Sequence, residues 1–167
     1  MMIPSTNPSF ANSAFAATGT LYCTRFHAEF SMPSITRFYV TVIGTSGSGT
    51  VGAALYTDDD SGSQTRLATT GGVSGASGGV IATTGITPFA MTKGTVYRIC
   101  GCTTDTGAHL ATVTAIAATG GLGSISNVVT AWVGTAANSC SSGVPPATTG
   151  AITGTTTSRT VQAIVAP

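Results

Sequence analysis

The chain has 167 residues, room for one domain. Charged residues make up 7% of it, against about 25% in ordinary soluble domains, and the formal net charge is +1. That balance excludes a basic nucleic-acid surface, a coiled coil, a charged disordered tail and electrostatic attachment to an anionic membrane.

Residues 1–20 show no sustained hydrophobic period and include Pro4, Asn7 and Pro8, so they read as an extended N-terminal arm before a folded domain, 21–167. The first Arg is Arg25, and no basic front with an apolar stretch precedes it. Synthesis in the cytoplasm without a signal peptide is therefore expected. No window reaches the roughly 18 apolar residues of a membrane span, so membrane insertion is not expected.

Alternation starts at Leu21. From there to Phe30 one face carries Tyr22, Phe26, Ala28 and Phe30, and the other Arg25, His27 and Glu29. This predicts a half-buried antiparallel strand with its aromatics inward. Ile35–Ile43 is rich in β-branched and aromatic residues, with Phe38, Val40 and Val42 on one face. A Gly/Ser turn, 44–49, leads to a strand over Val51–Tyr56, closed by Asp58-Asp59-Asp60-Ser61-Gly62. Shorter strands are expected around 66–70 and 80–84, with 71–79 a flexible hairpin. Met91–Cys100 reads as a turn and a strand, and His109–Ile116 as another alternating run. Strand 127–133 contains Trp132. A Gly/Pro loop, 134–150, precedes a closing strand over 160–165. About nine short strands at this spacing, with no helical period, predict an all-β antiparallel β-sandwich, most economically a jelly roll.

The four cysteines are Cys23, Cys100, Cys102 and Cys140. The usual close pair spacing of a zinc site is absent. A disulfide framework would need an oxidising medium and leaves three pairings open, so free thiols are the expectation. Cys100 and Cys102, two residues apart, share one strand face.

A monomeric sandwich usually guards its edges with Lys, Glu and Pro, yet this chain has one Lys, Lys93, and one Glu, Glu29. Its neutral faces are expected to be covered by copies of itself in a symmetric homo-oligomer, with a trimer as the first guess. Three segments carry a resemblance: Ile35-Thr36-Arg37-Phe38, Gly52-Ala53-Ala54-Leu55-Tyr56-Thr57-Asp58-Asp59 and Gly94-Thr95-Val96-Tyr97. Together they resemble the small jelly-roll β-sandwich modules of bacteriophage virion proteins. The resemblance implies a virion-surface protein, and the absence of a long attachment or shaft region favours a compact capsid accessory over a fibre tip.

Candidate sites follow from the few chemistry-bearing side chains. Asp58, Asp59 and Asp60 could offer oxygens to Ca²⁺, but the bidentate Glu of such loops is missing and a charged turn explains them. No metal or cofactor is expected. His27 and His109 have no nucleophile elbow beside them, and Glu29 and Asp105 are the only acids outside the Asp cluster, so no catalytic residues and no enzyme are expected. Tyr39, Tyr56 and Trp132 could stack on a sugar. Phe10 and Phe15 are candidate anchors by which the arm docks on a neighbouring subunit or capsid protein.

The expected function is that of a capsid decoration or cement protein binding the assembled particle as a homo-oligomer, with the major capsid or a tail protein as partner. The alternatives are a receptor-binding tail or head-fibre module recognising cell-surface glycan, and a non-viral adhesin or filament subunit.

Overall fold

The computed structural model describes residues 10–12, 18–44, 49–58, 62–76, 79–105, 108–114, 133–155, 159–161 and 163–166. Among them are thirteen strands: β1 (Phe10–Asn12), β2 (Tyr22–His27), β3 (Met32–Gly44), β4 (Thr50–Thr57), β5 (Arg66–Thr69), β6 (Val73–Ser74), β7 (Gly79–Met91), β8 (Val96–Thr103), β9 (Ala108–Thr114), β10 (Val133–Ala136), β11 (Ile152–Thr155), β12 (Arg159–Val161) and β13 (Ala163–Ala166). No helix occurs among the described residues, and none is long and apolar enough to cross a membrane.

The strands form two sheets, antiparallel throughout. The seven-stranded sheet runs β11-β10-β2-β8-β4-β5, with β6 also beside β4. The six-stranded sheet runs β1-β9-β3-β13, with β12 on β9 and β7 on β3. Alternation explains how they share one core. Phe38, Val40 and Val42 of β3 point one way, and Val51, Ala53 and Leu55 of β4 with Tyr97 and Ile99 of β8 point back at them. Register shifts between Met32, Ile35 and Arg37 on β3 let Ile35 and Phe38 both enter the core, although strict alternation would place them on opposite faces. The result is a sandwich-like, all-β fold.

Several elements differ from the sequence expectation. The arm contributes β1, which pairs with β9 at Phe10↔Val113. The hairpin expected over 71–79 contains β6, bound to Thr50 and Val51. The single closing strand is two: β12 pairs with β9 and β13 with β3, because the two halves of that alternating run find different partners. Phe30 does not continue the inward face of β2. That strand ends at His27, the chain bends at 29–30, and Phe30 is left 57% exposed.

The largest correction concerns the cysteines. They are not free thiols: Cys23 pairs with Cys100, and Cys102 with Cys140. The first disulfide follows from register, since Cys23 lies directly opposite Cys100 on β2 and β8. Cys100 and Cys102 share a face as their spacing requires, but that face is the outer one, away from the other sheet.

Candidate functional site

Outward-facing residues of β2, β8, β4 and β5 line up in rows. One row is Cys23, Cys100, Ala54 and Thr69; the next is Arg25, Arg98, Tyr56 and Arg66. This outer face is closed by the chain itself. β10 and β11 form a hairpin, and its long loop, residues 137–151, folds back over β8 and β4 as a strap. Beneath it Leu21, Cys23, Ala54, Tyr56, Cys100 and Cys102 form a second apolar cluster, joined by Ala136, Cys140 and Ile152.

The strap fits because of glycine. A Cβ on Gly52 would lie 2.0 Å from the Gly143 carbonyl oxygen and 2.8 Å from Pro145 Cδ. Only a residue without a side chain lets that turn settle on β4. The turn is tight: Ser141 and Val144 bridge each other, and Ser142 and Gly143 both take left-handed backbone, with φ of 50° and 74°. Tyr56 Oη donates to the Pro146 carbonyl at 2.7 Å, and the Arg66 guanidinium donates to the Pro145 carbonyl. Burial raises the Tyr56 phenol well above its ordinary range, with Arg66 pulling in the opposite direction.

At the end of the same face lies an ionic triad. The Asp58 side chain is 0% exposed, with Arg25 Nε at 2.5 Å and Arg98 Nε at 3.1 Å from its Oδ2. Those two contacts are ionic and lack hydrogen-bond alignment, whereas Arg98 Nη2 donates to Asp58 Oδ1 at 3.3 Å. Arg25 and Arg98 face each other across β2 and β8, so one carboxylate offsets the repulsion of two adjacent guanidiniums.

This geometry relocates the residues singled out from the sequence. Asp58, a candidate Ca²⁺ ligand, is an ion-pair residue whose carboxylate faces two cations; Asp59 and Asp60 lie outside the described residues. Among the described residues no three His, Cys, Asp or Glu side chains converge. Tyr39 and Tyr56 do not form one aromatic platform. Tyr39 is half-buried on the outer face of the six-stranded sheet, and Tyr56 is buried on the opposite outer face. Trp132 and Phe15 lie outside the described residues, while Phe10 sits in β1. Glu29 and Asp105 follow the strand partners at opposite ends of β8 and are not brought together. His27 is exposed, and His109 lies opposite Ile43 in the other sheet.

The strap and the triad were missed by sequence reasoning, although a signal for the triad exists. Arg98 interrupts the otherwise apolar Tyr97-Arg98-Ile99-Cys100, and an arginine inside such a strand needs a carboxylate. No family model matches the chain, and neither a curated protein nor a solved structure does.

Proposed function

We propose that the chain is a non-enzymatic structural protein of the bacteriophage virion surface, a jelly-roll-like capsid decoration protein that binds the assembled particle as a homo-oligomer. The observation that carries this reading is the pair of disulfides in a sandwich-like fold that closes one of its own outer faces. Buried disulfides are at home in oxidising surroundings such as a virion exterior. The strap covers the apolar cluster on the outer face of β8 and β4 with the chain itself. Of the three segments behind the phage resemblance, Ile35–Phe38 lies within β3, Gly52–Thr57 within β4, and Val96–Tyr97 opens β8.

The other outer face supplies the contact. Arg37 is exposed and Tyr39 and Thr41 are half-buried there, a partly open strand face that suits contact with a second copy or a capsid protein. Binding only to the assembled particle stabilises it by mass action. The glycan reading is the weaker one, because Tyr56 presents no ring to a sugar.

The test is to purify particles from cells expressing the gene and count copies of the chain by mass spectrometry, with light scattering on the isolated protein. Stoichiometric incorporation and an oligomer are expected. A monomer absent from particles contradicts the reading.

A further inference from the structure

The two halves of the strap are held in different ways. Its 147–149 half is zipped to the start of β5: Arg66 N donates to Ala147 O at 2.9 Å, Thr149 N to Gln64 O at 3.1 Å, and Gln64 N to Thr149 Oγ1 at 3.0 Å. Its 139–145 half rests on Gly52, Gly72 and Thr50 and is joined covalently to β8 through Cys102–Cys140. One backbone bond, Cys140 N to Gly19 O at 2.8 Å, accompanies that link, and at the far end of this half the Arg66 guanidinium donates to the Pro145 carbonyl, where the zipped half begins.

The two disulfides differ in the same sense. Cys23–Cys100 ties two strands already paired from Tyr22↔Gly101 to His27↔Val96, and both its residues are 0% exposed. Cys140 is half-buried, in a segment outside any ladder. A thiolate must reach a sulfur to exchange, and segments without ladder bonds open most readily.

We propose that Cys102–Cys140 is a redox latch, cleaved by thiols before Cys23–Cys100 and releasing residues 139–145 from the sheet while the sandwich stays folded. In the step, one thiolate of a dithiol attacks Cys140 Sγ, the S–S bond breaks and Cys102 leaves as a thiolate that takes up a proton. The second thiol of the same molecule displaces Cys140, giving a cyclic disulfide and two protein thiols, with two electrons passed to the protein. Closure is the reverse, with a disulfide-bearing molecule as electron acceptor. A copy in thiol-rich surroundings thus carries an open strap, and a copy in an oxidising medium a closed one. This device goes beyond the virion reading and does not depend on it.

The test is a graded dithiothreitol titration of the native protein, trapping thiols with N-ethylmaleimide, locating them by mass spectrometry, and following hydrogen–deuterium exchange in parallel. Cys102 and Cys140 are expected to be labelled at about tenfold lower reductant than Cys23 and Cys100. Exchange should quicken at 139–145 and stay unchanged in β2 and β8. A C102S/C140S variant should show the same quickening without reductant; if it does not fold, the wild-type titration decides. Labelling of all four cysteines together, earlier labelling of Cys23 and Cys100, or unaltered exchange at 139–145 after reduction overturns the proposal.

Discussion

The inner faces of the two sheets are built alike, from alternating apolar residues, but their outer faces are not. Over β8 and β4 the chain lays its own strap, so that Tyr56, Cys100 and Cys102 are as buried as the shared core. Over β3 the outward residues Arg37, Tyr39 and Thr41 keep contact with solvent. The outer face of a sheet can thus be finished in two ways, by its own chain or by another molecule. The proposed function assigns one way to each face.

Four substitutions would break or sharpen this contrast. Asp58→Ala should have the largest effect, costing about 3–5 kcal/mol in urea denaturation, because Arg98 would stay buried without its carboxylate. The exposed side of Arg25 places the effect at the lower end of that range. Gly52→Ala should follow at about 3 kcal/mol, since its Cβ would collide with the strap backbone. Protease sensitivity should then appear at 139–145 before anywhere else. An unchanged melting temperature would mean that the strap does not rest on β4.

Tyr56→Phe removes one hydrogen bond to Pro146 and should cost about 1 kcal/mol at neutral pH. It should also alter the pH profile. Because burial raises the folded-state pKa, the wild type should hold its stability up to about pH 10, the ordinary phenol value, and lose it as pH rises further. Denaturation from pH 8 to 11 should show a shallower decline in the Phe variant. Arg37→Ala on the open face should be smallest, within about 0.5 kcal/mol for the isolated chain. Its effect should appear in assembly, as weaker oligomerisation by light scattering.

The disulfides show why contact type matters more than loop length. Their sequence separations of 77 and 38 differ twofold, worth only about 0.6 kcal/mol in loop closure. What separates them is that one lies within a ladder and the other fastens a loop.

Period-two alternation made β2, β3, β4 and β9 legible, because a one-residue slip would turn Phe38, Val40 and Val42 to solvent. It could not show the split of the last strand, where one unbroken pattern serves two partners. The cysteine pairing was illegible for a related reason: Cys23 meets Cys100 only through a register between strands 77 residues apart. The strap reads as an ordinary Gly/Pro loop until Gly52 is placed beneath Gly143. Of the candidate site residues, Asp58 lay in the segment picked out, but its chemistry depended on Arg25 and Arg98, which only the sheet brings together.

Hydroxyl-radical footprinting of the protein, diluted until light scattering shows single copies, tests the contrast between the two outer faces most directly. Tyr39 should be modified readily and Tyr56 protected under the strap. Modification of Tyr56 as fast as Tyr39 would contradict the account.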